Sequence, residues 1–197
     1  PTLLTKRIEK ITKYDRRKQN LVDEIKRVEE SDEFNKEKII ENLEKKDTLG
    51  KVNFDSVIIS AFDETLKSIT TSLIYTDVSP KKIYFITLNQ WFDESLLNED
   101  SSQNLFFPSI NKKNFDEFKK EYSRKYSSEP NQISLLGFDL VGLIYYLSKM
   151  NNFQLSSKAF DQKNTFKGKI GLFEIEDKRI KHVLNFYKVE NNKFKKI

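Results

Sequence analysis

Two acidic pairs stand where an α/β chain could use them. Asp63-Glu64 and Asp93-Glu94 follow the short β-rich runs Phe54–Ile59 and Ile83–Ile86. Loops beyond the carboxyl ends of parallel strands are where such folds take up ligands. The same acids have an electrostatic reading, because carboxylates in the first turn of a helix are favoured by its dipole. Acid–base catalysis needs two carboxylates held opposed across a cleft, and that is what an enzyme reading requires here. Asp139 interrupts the apolar run Leu135–Leu147. A carboxylate there is either a hydrogen-bonded interior group or a contact between lobes. His182, in a β-rich run, reads as a surface or edge residue. Trp91 is the only tryptophan and fits either a ligand cleft wall or a packing role.

Composition removes much chemistry. Among 197 residues there is no cysteine, which excludes disulfides, thiolate metal sites and a cysteine nucleophile. One histidine is a poor basis for a histidine metal site or a serine–histidine hydrolase. Glycines 50, 137, 142, 168 and 171 form neither a dinucleotide loop nor a phosphate-cradling loop, and no nucleophile elbow is present. The expectation is a protein without catalytic residues, metal or cofactor. Lysine and arginine exceed aspartate and glutamate by 35 to 30, and residues 178–197 hold seven basic residues against Glu190 alone. That tail reads as a lysine-protected edge strand and frayed terminus, not as a nucleic-acid stripe. No run is long and apolar enough to span a bilayer. The sequence opens at Pro1 without a basic-then-apolar leader, as expected of a mature or trimmed product.

Residues 1–48 differ in kind from the rest, with 13 basic and 12 acidic side chains and no glycine. Leu4, Ile8 and Ile11, then Leu21, Val22, Ile25 and Val28, recur at helical spacing and predict one narrow apolar stripe. Ser31-Asp32 supplies a break and an N-cap, and Phe34, Ile39, Ile40 and Leu43 begin a second stripe that ends near Gly50. The prediction is a helical hairpin. From Lys51 onward short β-rich runs alternate with helical ones: strands near 54–59, 83–86 and 105–107, and helices near 62–74, 112–126 and 133–150. The last helix is apolar nearly all round and is expected to be buried. Leu172–Ile175 and Ile180–Val189, joined at Asp177-Lys178, read as a terminal strand hairpin. The pattern predicts an α/β fold: layered parallel sheet flanked by helices.

Several of these stretches, in this order, resemble a known family. Tyr14-Asp15-Arg16-Arg17 is similar to a helix-opening Tyr-Asp-x-Arg element. Phe54-Asp55-Ser56-Val57 through Tyr75-Thr76-Asp77-Val78 resembles a strand–helix unit of the same group, and Asn89 to Leu96 resembles its tryptophan-containing loop. Phe115–Pro130, Gly137-Phe138-Asp139 and Phe166–Phe173 follow in the expected order. The group is the type I periplasmic-binding fold of the leucine/isoleucine/valine-binding proteins, and the likeness is greatest to the penicillin-binding-protein activator lipoproteins of proteobacteria.

The resemblance implies a two-lobed, non-catalytic protein of which this chain carries the C-terminal half to two-thirds. Residues 1–50 form a helical hairpin on lobe 2, 51–85 end that lobe, 86–168 belong to lobe 1, and 169–197 return to lobe 2. It implies a periplasmic location with a lipid anchor outside this sequence. Its partner is a peptidoglycan synthase regulated through protein contacts. The alternative is an ABC-transporter receptor that meets a permease and binds an amino acid or another small polar solute. Nucleic acid is not among the expected partners. Phe62, Asn89, Gln90 and Trp91 are the residues expected to line the ligand cleft. Amino-acid-binding relatives place an acid where Asn89 stands, and a neutral amide cannot give an ammonium the same charge-assisted contact. The helical hairpin is a further candidate, as a docking arm.

Overall fold

The computed structural model describes residues 2–88, 92–154, 156–160, 164–169, 171–176 and 179–197. It opens with α1 (Leu3–Thr12), capped by Thr2, whose hydroxyl accepts from the Thr5 N–H at 3.2 Å. The helix ends at Lys13 in the left-handed conformation (φ 52°), and α2 (Tyr14–Glu29) starts at once in a new direction. This break was not expected, and it redirects the apolar stripe. Ile8, Leu21 and Val28 are buried, whereas Ile11 and Val22 face solvent. α3 (Lys36–Glu44) folds back, and Leu21, Val28 and Leu43 form a small core with Ile25, Ile39, Ile40 and Leu49. Phe34 lies outside that core, fully exposed ahead of the helix. Asp32 does not cap α3, which begins after Asn35 without a side-chain cap.

The parallel strands form as their β-rich runs predict. β1 (Ser56–Ile59) leads to α4 (Asp63–Tyr75) and then to β2 (Tyr84–Thr87), which pairs with β1 in parallel through Ser56↔Tyr84 to Ile59↔Thr87. β3 (Leu105–Ser109) lies parallel to β2. α5 (Lys112–Tyr126) and α6 (Gln132–Met150) follow, each N-capped by an asparagine, Asn111 and Asn131. The remaining strands are β4 (Asn164–Lys167), β5 (Leu172–Glu176), β6 (Arg179–His182), β7 (Asn185–Glu190) and β8 (Lys193–Lys196). One sheet runs β1-β2-β3-β7-β8, and a second, antiparallel, runs β4-β5-β6.

Two expectations change here. The hairpin β5–β6 is present, but the run Ile180–Val189 is split at Val183-Leu184 into strands of different sheets. α6 is not buried all round. Among its described side chains only Leu135, Asp139, Leu143 and Leu147, one stripe at every fourth residue, are buried, while Leu136, Phe138, Leu140, Val141 and Tyr145 are exposed.

The chain divides into two compact units. Unit 1 comprises residues 1–88, 93–106 and 188–194, and unit 2 comprises 89–92, 107–187 and 195–197. In unit 1, Leu66, Phe85, Leu96 and Leu105 are fully buried. Each such side chain contributes about 1.5–3 kcal/mol of burial energy. The sheet faces differ: Ile59, Phe85 and Leu105 are buried, whereas Ile58 and Tyr84, on the opposite face, are 68% and 57% exposed. In unit 2, Leu143, Leu147 and Ile175 pack with Tyr146, Phe160 and Phe166. Phe92, Phe107, Phe115 and Tyr187 form an aromatic cluster with ring separations of 4.9 to 5.8 Å.

Candidate functional site

In unit 1 the carboxyl ends of β1 and β2 lie side by side, since Ile59 pairs with Thr87. Ala61 is buried just beyond β1, and Phe62 then turns outward, 51% exposed, as the N-cap of α4. Its backbone is extended (φ −131°, ψ 166°) and its carbonyl accepts the N–H of Leu66 at 3.2 Å. Asp63, the first helical residue, has φ 49°, so the chain turns sharply into the helix there. Phe62 is thus held as an apolar side chain at the head of a helix. Beyond β2, Leu88 is half-exposed, and Asn89, Gln90 and Trp91 lie outside the described residues.

The two acidic pairs sit at helix N-termini. Asp63 and Glu64 occupy the first turn of α4, and Asp93 accepts the Ser95 N–H at 2.9 Å to cap a short 3-10 turn that starts at Glu94. Lys67 bonds Glu64 at 2.9 Å, a contact that raises the lysine pKa despite some desolvation, with Glu99 and Asp93 adding to the effect. Among the described residues no three histidine, cysteine or acidic side chains are grouped so as to hold a metal ion. Nor is any helix long and apolar enough to cross a membrane.

In unit 2, Asp139 is a bonded interior carboxylate. It accepts the backbone N–H of Lys169 at 2.7 Å. A Cβ at Gly168 would fall 2.2 Å from its Oδ2, so glycine is required there for the backbone to approach this closely. His182 is in the edge strand β6, as expected, but its ring is no surface group: it stacks on Phe173 at 4.5 Å and 11°.

One residue, quoted in the sequence only as the close of Tyr14-Asp15-Arg16-Arg17, has a structural role that was not assigned there. Arg17, buried in α2, donates to Thr48 Oγ1 at 2.6 Å, to the carbonyls of Thr76 and Asp77 at 3.0 and 3.1 Å, and more distantly to Gly50 O and Asp77 Oδ2, each at 3.4 Å. It fastens α2 to the α2–α3 hairpin's exit and to the end of α4. The signal was a basic residue on the apolar stripe of α2, four residues before Leu21.

No protein-family model and no curated protein matches this sequence. Solved structures do. The extracellular ligand-binding receptor from Desulfohalobium retbaense superimposes with a TM-score of 0.53 at 16% identity, over 73% of this chain and 26% of that protein. The fold is the type I periplasmic-binding fold. A Rhodospirillum rubrum protein assigned to branched-chain amino acid ABC transport gives 0.51 at 10% identity, over 70% of this chain and 49% of its own. A leucine-binding protein from Thermotoga maritima gives 0.48 at 15% identity, over 85% and 48%. This chain therefore spans between about a quarter and a half of their lengths. The structures it resembles are binding proteins, and the likeness extends to the fold.

Proposed function

We propose that this is a non-catalytic protein of the periplasmic-binding type that works in the periplasm through protein contacts, its partner a peptidoglycan synthase. The observation that carries the reading is the open sheet face of unit 1. Parallel strands are ordinarily covered on both faces. Here Ile58 and Tyr84 stand exposed on one face of β1 and β2, with Tyr84 and Phe106 in edge contact at 5.5 Å. An apolar sheet face left open is a surface for a partner. The test is biolayer interferometry against a purified peptidoglycan synthase, paired with its glycan-polymerisation rate. Binding and a rate change that are both lost in Ile58→Glu and Tyr84→Glu support the reading. Absence of either in the unaltered protein refutes it.

A second reading has its own observation. Phe62, half-exposed at the head of α4 beyond β1, fits the wall of a solute site, as in a receptor serving an ABC permease, and Asn89, Gln90 and Trp91 are candidates for solute contact by resemblance alone. A thermal-shift screen of amino acids and small organic acids tests it, because a ligand at a hundred times its Kd adds about 2.7 kcal/mol of stability. A rise in Tm that disappears in Phe62→Ala and Trp91→Ala supports the receptor.

A further inference from the structure

Unit 2 holds a groove of about 970 Å³ between α5 and α6. Its walls are aromatic: Phe118, Tyr122 and Tyr126 from α5, Phe138 and Tyr145 from α6. Ser134, Gly137 and Val141 of α6 complete this side of the lining, and a Cβ on Gly137 would meet nothing within 4 Å. The walls are stiffened by ring contacts, Phe118 to Phe138 at 5.6 Å and Tyr122 to Tyr126 at 4.6 Å. Yet Tyr126, Phe138, Val141 and Tyr145 are each more than half exposed. At 1.5 Å per residue, the lining from 118 to 126 and from 134 to 145 runs about 12 to 16 Å, roughly two to three helical turns. That length suits the apolar stripe of a helix and exceeds what a compact solute needs.

The rim selects the charge of the occupant. α5 carries six basic and three acidic residues. Each of those acids is engaged, Asp116 by Lys112, Glu117 by Lys113 and Glu121 by Lys169. Arg124 and Lys125 remain at the groove without a carboxylate among the described residues. Lys125 lies instead over the Tyr126 ring at 5.3 Å. We infer that this groove docks an acidic amphipathic helix of a partner protein, its apolar anchors at i, i+4 and i+7 over the open stretch at Gly137 and its carboxylates at Arg124 and Lys125. The inference rests on the protein-contact reading and gives the partner a chemistry.

The test uses the full chain and two labelled, stapled amphipathic peptides of about four turns, identical except that one carries glutamates where the other carries lysines. In fluorescence anisotropy the glutamate peptide binds, and it weakens as salt is raised. Arg124→Glu with Lys125→Glu lowers its affinity about tenfold and turns the preference toward the lysine peptide. Gly137→Leu and Val141→Glu, both at open positions, abolish binding of either peptide. Equal binding of the two peptides, or indifference to the charge reversal, overturns the inference. So does a dimer in sedimentation that Gly137→Leu dissolves, or uptake by phosphatidylglycerol vesicles in place of the peptide. Failure here leaves the Ile58 and Tyr84 assay unaffected, so the two readings fall separately.

Discussion

Replacing Arg17 with alanine should loosen unit 1 more than any exposed substitution. The side chain is 7% exposed, and three of its bonds are at good distance, to Thr48 Oγ1, Thr76 O and Asp77 O. Bonds from a charged donor are worth about 1.5 kcal/mol or more each, and acceptors left buried add to the loss. Water can reach the Asp77 end, where the carboxylate is 42% exposed, and this offsets part of the total. The expected cost is about 3–4 kcal/mol, which for a chain of this size lowers Tm by roughly 8–14 °C. The ion pair itself contributes little, because Arg17 and Asp77 Oδ2 are 3.4 Å apart and the acid is half in solvent. Asp77→Asn should therefore cost no more than about 1 kcal/mol. Circular dichroism melts of the two single variants and the double variant separate these contributions. An Arg17→Ala shift below about 3 °C, or an Asp77→Asn shift that equals it, refutes the clamp.

Other expectations are simpler to state. Gly168→Ala forces a Cβ onto the Asp139 carboxylate and should cost about 1–3 kcal/mol, part of which Asp139→Ala restores in the double variant. Leu66→Ala, at a position with no exposure, should cost about 2–5 kcal/mol by urea titration. Phe62→Ala, at a half-exposed cap, should change stability by less than about 1 kcal/mol, so a lost ligand response there reports on binding. For pH, Lys67 is raised above 10.5 chiefly by its bond to Glu64: its contribution is whole below 10.5 and fades as pH rises through the higher folded value. Glu24 is lowered from 4.5 chiefly by its bond to Arg27, so its contribution is whole above 4.5 and fades on acidification. Lys67→Met and Glu24→Gln should flatten the alkaline and acid limbs of a urea-midpoint profile respectively.

The layered α/β order was legible because β1, β2, α5 and the β5–β6 hairpin each follow a local rule of spacing or turn chemistry. What was hidden depended on long-range partners. Lys13 adopts the left-handed conformation without a glycine to announce it. β4 is a polar strand defined by its pairing with β5. α6 is apolar on faces that its own unit leaves uncovered, and periodicity reads composition, not neighbours. At the candidate site, the placement of Asp63-Glu64 and Asp93-Glu94 at helix N-termini was legible. Asn89, Gln90 and Trp91 remain assigned by resemblance. The part of Arg17 was not foreseeable, since it needs Thr48 and Asp77, 31 and 60 residues away.

The division into units falls inside strands: residues 106 and 107 of β3, 187 and 188 of β7, and 194 and 195 of β8 belong to different bodies. Most of unit 2 is one uninterrupted segment, residues 107–187, inserted into the sequence of unit 1. A ribosome therefore releases the closing segment of the first body, residues 188–194, only after residues 107–187 of the second have emerged. The usual order of maturation, N-terminal part first, is inverted for this sheet. Early termination between residues 110 and 184 would leave β3 without β7 on one edge, a sticky intermediate for chaperones to shield.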